Sequence, residues 1–166
     1  MIVAVTGDTH LPRGSRRLPQ ECVERIANAD LVIHTGDFSR LEAYEEIAAI
    51  GPRLVAVHGN VDDAELRAML PERTVIEVEG ARIGVIHDAG PRRGRLARMK
   101  RAFPDTDAVI FGHSHLPLLE SAAGFQIFNP GSPTERRRAP ERTMGIAAID
   151  GGAVRFEHVA LTRGGA

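Results

Sequence analysis

The sequence predicts a mixed α/β domain in which two sheets pack together and helices lie outside them. Three observations carry this. Over the first sixty residues, apolar strand-like runs alternate with helix-period segments in the order β-α-β-α-β, which implies a parallel sheet with right-handed crossovers. After Pro71 the pattern changes to a hairpin, a helix and a series of short strands and turns. Five apolar runs also end in side chains that bind metal ions: VAVTGDTH, LVIHTGD, VAVHGN, IGVIHD and VIFGHSH.

Met1–Thr6, a short apolar run, reads as a buried strand. Pro19–Ala29 sets Cys22, Val23, Ile26 and Ala27 at helical spacing, and Leu31–Thr35 is the next buried strand. Leu41–Ile50 places Leu41, Tyr44, Ile47 and Ala48 on one helix face, and Gly51-Pro52 ends it. Arg53–Val57 is the third strand. Asp62–Leu70 is a short helix stopped by Pro71, with Asp62 or Asp63 as its N-cap. Thr74–Val78 and Arg82–Ile86 flank Glu79-Gly80-Ala81 as a hairpin. Arg95–Phe103 is a basic helix and Ala108–Phe111 a strand. Leu118–Ser121, Phe125–Phe128, Met144–Ile149 and Val154–Leu161 complete the strands, the last two joined at Asp150-Gly151-Gly152. Arg136–Arg138 reads as an exposed loop. A single domain over residues 1–163 is expected, with Gly164–Ala166 as a frayed tail.

Composition narrows the function. With 43% apolar and 26% charged residues the chain has the make-up of a soluble globular protein, and its formal net charge of −1 gives no global field for nucleic acid or membrane. The charges are uneven. Residues 91–142 hold ten Lys and Arg against five Asp and Glu, a basic stretch that suits an anionic substrate or forms a solvated face. No apolar stretch approaches the roughly 18–20 residues that span a bilayer. The chain opens on a strand pattern without the basic region of a signal peptide, and the single Cys22 excludes an intramolecular disulfide, so a cytoplasmic location is expected.

Parallel strands deliver their end residues to one rim, so Asp8, His10, Asp37, Asn60, His87, His113 and His115 are expected to converge. Any one of them alone would be an ordinary turn residue or a satisfied histidine. Their joint appearance in order, each after an apolar run, points to a pair of divalent ions acting on phosphate esters. Asp37 is the natural bridge between two cations, with Gly36 permitting close backbone approach. Asp8 and His10 lie either side of Thr9, so a turn can aim both at one ion, and His113 and His115 are spaced the same way around Ser114 in a loop that Gly112 lets bend tightly. Asn60 adds a neutral carbonyl oxygen, which limits the negative charge. His34 and His58 read as structural or supporting residues, and His158 as unrelated to the site.

Taken in order, GDTH, GD, GNVD, the strand-end His87 and GHSH resemble the calcineurin-like metallophosphoesterase superfamily, over Val3–Ser132. The small size, the GNVD variant and Asn129-Pro130-Gly131-Ser132 resemble its compact YfcE-like phosphodiesterase branch. The resemblance implies a four-layer αββα sandwich with two mixed β-sheets. It implies one metal held by Asp8, His10, Asp37 and His115 and another by Asp37, Asn60, His87 and His113. Mn²⁺ is the usual activating ion, with Ni²⁺, Zn²⁺ and Fe as alternatives. Three departures stand out. Gly7 replaces the usual Ser and Leu11 the usual Gly. Val61, followed by Asp62, stands where larger relatives carry a leaving-group His. Asp88 replaces the usual Gly and reads as a turn residue, with a supporting acceptor or a proton donor as the other roles.

The expected function is a dinuclear phosphodiesterase in which a metal-bridging hydroxide attacks in line, with Asp37, Asn60 and His113 as the catalytic set. The expected substrate is a small phosphodiester such as a nucleotide, held by Arg92, Arg93 and Arg136, with Asp62 and Asp88 behind the ligands. A non-catalytic scaffold, resembling the retromer's vacuolar sorting subunit, is the first rival reading. A phosphomonoesterase or nuclease using the same site is the second. A homo-oligomer is compatible with either.

Overall fold

The computed structural model describes residues 1–12, 14 and 16–161, so the expected Gly164–Ala166 tail lies outside the described residues. In chain order the elements are β1 (Ile2–Thr6), α1 (Gln20–Ala27), β2 (Leu31–His34), α2 (Leu41–Ala48), β3 (Leu54–Ala56), α3 (Ala64–Met69), β4 (Arg73–Val78), β5 (Ala81–Ile86), α4 (Arg95–Ala102), β6 (Ala108–Ile110), β7 (Leu118–Ala122), β8 (Phe125–Asn129), β9 (Arg142–Asp150) and β10 (Ala153–Leu161). They form two five-stranded sheets, β10-β9-β1-β2-β3 and β4-β5-β6-β8-β7. Both are mixed. β1, β2 and β3 run parallel with β9 antiparallel to β1, and β5, β6 and β8 run parallel with β4 and β7 antiparallel at the edges.

Strand alternation sets the layers. Val3 and Val5 of β1 and Leu31 and Ile33 of β2 face Ile83, Val85, Ile110 and Phe128 of the second sheet, and together they make the sheet-on-sheet core. The opposite faces of β1 and β2, Ala4 and Val32, pack against Cys22 and Ile26 of α1. Ala43 and Ile47 of α2 and Leu66 of α3 cover β3 through Ala56, and Met99 of α4 with Phe103 covers Val109 and Ile127. The order is therefore helices, sheet, sheet, helix: the four-layer αββα sandwich. No helix among the described residues is long and apolar enough to cross a membrane.

Local differences from the sequence reading have local causes. Ala43 and Ile47 form the buried stripe of α2, with Leu41 and Tyr44 only half-buried beside it. Pairing of Val78 with Ala81 reduces the hairpin turn to Glu79-Gly80, both with positive φ as a two-residue turn requires. Of the two candidate caps, Asp63 is the N-cap of α3: its carboxylate accepts from Leu66 N–H at 3.0 Å. Asp62 has a different task, described below.

Candidate metal centre

The seven predicted donors lie just beyond the carboxyl ends of β1, β2, β3, β5 and β6, on one rim spanning both sheets. The loops after β1 and β2 keep their parallel pairing beyond the strands: Asp8 N–H donates to Gly36 O (2.9 Å), His10 N–H to Asp37 O (2.9 Å) and Leu11 N–H to Phe38 O (2.8 Å). Within this frame Asp8, His10, Asp37, His113 and His115 all adopt left-handed backbone conformations, with φ of 51°, 47°, 60°, 68° and 58°. Such a conformation costs about 1 kcal/mol or more per non-glycine residue and clusters at functional sites. Here it accompanies the turning of both members of each Asp-x-His or His-x-His pair to the same side.

The donors sort into two groups. In the first, His10 Nε2 and His115 Nε2 are 3.0 Å apart, and His115 Nε2 is 3.6 Å from Asp8 Oδ1. His115 Nδ1–H donates to Glu135 O at 3.2 Å, which leaves the Nε2 lone pair facing His10. Burial, with the Arg137 and His10 charges, holds the His115 imidazole down to about 4, so it is neutral at pH 7. Asp8 is fully buried, and its Oδ2 has no hydrogen-bond partner among the described residues. Burial pushes its carboxyl up to about 7.

In the second group His87 Nδ1–H donates to Thr35 O at 2.8 Å, so Nε2 is again the free nitrogen. It points at Asn60 Oδ1 (3.0 Å), Asp37 Oδ2 (3.3 Å) and His113 Nδ1 (3.2 Å). His113 Nδ1 also lies 2.9 Å from Asn60 Oδ1. Burial opposes charge on His87, but Asp37 and Asp8 outweigh it and raise its basicity. Burial likewise opposes charge on Asp37, yet His87 and the Val61 N–H (3.0 Å to Oδ1) bring the carboxyl down to about 2. Asp37 Oδ2 also stands 3.8 Å from His10 Nε2, so one carboxylate touches both groups.

This donor set fits divalent cations. Lone pairs of imidazole, carboxylate and amide oxygen converge with too few protons among them, and one buried carboxylate oxygen has no hydrogen-bond partner among the described residues. Asp8, His10 and His115 with Asp37 can hold one ion, and Asp37, Asn60, His87 and His113 the other.

Several residues support these groups through contacts that the structure defines. Asp62 is buried, and its carboxylate accepts from the N–H groups of Asp37 (3.1 Å), Ser39 (2.7 Å) and Gly59 (2.6 Å), tying the Asp37 loop to the Asn60 loop. Gly112 was expected to let its loop bend; its actual role is space. A Cβ there would lie 2.5 Å from Thr35 Oγ1 and 3.1 Å from Asp8 Oδ2. Gly7 faces the same hydroxyl, at 1.8 Å from a would-be Cβ, so glycine at that position is matched to Thr35. His34 is buried, stacks on Phe38 and accepts from Gly36 N–H, a structural role. His158 is corrected: it is not isolated from the site, because its Nε2 donates to Asn129 O, and Asn129 Nδ2 holds Gly112 O (2.8 Å) and Ser114 Oγ (3.2 Å) in the GHSH loop.

Asp88 is exposed and accepts from Gly90 N–H at 2.7 Å, a turn contact. Of the arginines, Arg92 lines a groove with Arg95, Arg138 and Ser114, whereas exposed Arg93 gives its carbonyl to Arg98. Arg136 binds Pro140 O. The neighbouring Arg137 is the one that reaches the centre. It donates to His113 O at 3.4 Å, sits 3.7 Å from Glu135, and its charge acts on Asp8, His10 and His115.

Comparison with known proteins agrees with this geometry. A probable metallophosphoesterase of Methanocaldococcus jannaschii is 33% identical over 153 residues, covering 90% of this chain and 77% of that protein. A phosphodiesterase of the same organism is 23% identical, over 79% of this chain and 83% of its own length. The structure of Entamoeba histolytica Vps29 complexed with zinc superposes with a TM-score of 0.77 at 26% identity, over 96% of this chain and 99% of that one. Residues 1–152 match the family model of the calcineurin-like phosphoesterase superfamily domain, and the chain belongs to that superfamily.

Proposed function

We propose that the chain is a dinuclear metal-dependent phosphodiesterase. The observation that carries this is the convergence of two donor groups whose lone pairs have too few protons to share, joined by Asp37. When bound, two divalent ions, Mn²⁺ first among them, supply Lewis acidity to the phosphoryl oxygens and to an attacking water. Asp37 offsets their mutual repulsion, and Asp62 keeps its backbone fixed. Asn60 and His113 are exposed at the mouth, where phosphoryl oxygens meet them, and Arg137 adds positive charge behind His113.

Two features favour a diester. The residues that follow Asn60 and His87 in sequence are poor proton donors: Val61 carries no titratable group, Asp62 is committed to three backbone N–H groups, and Asp88 accepts from Gly90 N–H in its own turn. Substrates with acidic leaving groups therefore react best. Each half of the centre also has a cleft beside it, of about 170 Å³ at Asn60 and His87 and about 500 Å³ at Arg137, as two ester substituents require. A protein-interaction role rests on the Vps29 likeness, and the complete donor set favours hydrolysis over it.

The test compares bis(4-nitrophenyl) phosphate, 4-nitrophenyl phosphate, a cyclic nucleotide and single-stranded DNA with Mn²⁺-loaded protein. The aryl diester should show the highest kcat/KM. Faster cleavage of the monoester, or equal turnover by chelated protein, would refute the proposal.

A further inference from the structure

Arg16 and the loop after β8 line the larger cleft, about 500 Å³, whose charged lining among the described residues is Arg16, Arg136, Arg137 and Arg142 with Glu135 and Glu141. Four guanidinium groups against two carboxylates leave it cationic. Arg16 Nη2 donates to Glu135 Oε1 at 3.0 Å, but Arg16 Nη1 is buried with no hydrogen-bond partner among the described residues. The Glu135 contact fixes the Arg16 guanidinium in the cleft wall. The cleft also adjoins the centre directly: Glu135 Oε2 is 3.4 Å from His115 Nδ1, and Arg137 donates to His113 O. The cleft at the other half is about a third of that volume, and its charged lining includes Glu72 and Asp88. Of these two clefts, size and charge direct an anionic substituent to the one lined by arginines.

We infer that the arginine cleft is a second phosphate subsite, and that the preferred substrate is a phosphodiester whose ester group on that side carries a further phosphate. The planar forks of Arg16, Arg137 and Arg142 match phosphate oxygens with paired, charge-assisted hydrogen bonds. The substrate assignment rests on the phosphodiesterase reading; the anion subsite itself does not.

The test uses a matched pair, the 4-nitrophenyl ester of thymidine 5′-phosphate and the same ester carrying a 3′-phosphate. With Mn²⁺-loaded protein the second should have about tenfold higher kcat/KM, mainly through KM, as one charge-assisted contact allows. Arg16→Gln combined with Arg142→Gln should bring the ratio near one. A ratio of one in the unaltered protein overturns the substrate assignment. Calorimetry on EDTA-treated protein needs no turnover. There, thymidine 3′,5′-bisphosphate should bind about tenfold more tightly than thymidine 5′-phosphate, with the preference lost in the double variant. Equal affinity for the two nucleotides overturns the subsite even if both esters are cleaved. A retained binding preference with neither ester cleaved upholds the subsite and overturns the hydrolase reading instead.

Discussion

Asp8 and Asp37 stand at the ends of adjacent parallel strands, yet their carboxylates are held in opposite ways. Asp8 is sealed behind His10 and His115; its Oδ1 accepts from His113 N–H, its Oδ2 has no hydrogen-bond partner among the described residues, and burial raises its carboxyl to about 7. Asp37 lies between the two groups and is held ionised by His87 and a backbone N–H, down to about 2. The half around Asp8 is closed: Asp8 and His115 are inaccessible and His10 nearly so. The half around His87 opens to solvent through Asn60 and His113. The contrast assigns different work to similar ligands. Under the proposed function the closed half would fix an ion beside the arginine cleft, and the open half would receive the phosphoryl oxygens.

The contrast can be broken at Asp37 first, because it serves both halves. Asp37→Asn should lower diester kcat/KM on the order of a thousandfold, measured under saturating Mn²⁺. A loss of only a few-fold would mean that the halves act independently. Next comes the tie between the Asp37 and Asn60 loops. Asp62→Ala leaves three backbone N–H groups without their carboxylate and should cost about 3 kcal/mol in urea unfolding, whereas the same change at exposed Asp88 should cost under about 0.5 kcal/mol. Similar losses at both sites would remove the special role given to Asp62.

The closed half has its own signature in pH. An unfolded Asp titrates near 3.8, and folded, metal-free Asp8 near 7. Between those values the folded chain binds the extra proton at Asp8, so the Asp8 contribution to stability in EDTA falls as pH rises from about 4 to about 7; buried His10, His34 and His115 act in the opposite direction in both proteins, and the wild type should lose stability relative to Asp8→Asn across the window. A difference between the wild-type and Asp8→Asn urea midpoints that stays constant over this window would contradict the buried state of the Asp8 carboxyl. The smallest effect is kinetic. A chelator should remove metal in two phases, the open half first, and His87→Asn should delete the fast phase. A single phase in the unaltered protein would show that exposure does not separate the halves.

Much of this was legible in the sequence because strand ends are periodic signals. Each apolar run announced its strand, and the residue after it had to fall on the common rim, so both sheets and the convergence of the seven candidate donors could be read locally. What could not be read depended on contacts between loops far apart in sequence. Asp62 and Asp63 are adjacent acids before a short helix, and only the packing of the β2 loop decides that one caps and the other clamps. Arg136 and Arg137 are equivalent as letters; a left-handed φ of 45° at Arg137 accompanies its turn toward His113. His158 seemed unrelated because its partner, Asn129, comes from the other sheet. The exchange of Ser for Gly at position 7 makes sense only beside the Thr35 hydroxyl.

The central claim is that the two halves each hold a divalent ion that the hydrolysis of a phosphodiester requires. Its most direct test is metal analysis of protein saturated with Mn²⁺ and freed of excess, paired with bis(4-nitrophenyl) phosphate turnover on the same sample. About two equivalents per chain are expected, falling to about one in His115→Asn or His87→Asn, with turnover following occupancy of both halves. A chain that retains no stoichiometric metal, or hydrolyses the diester equally well without it, would contradict the account.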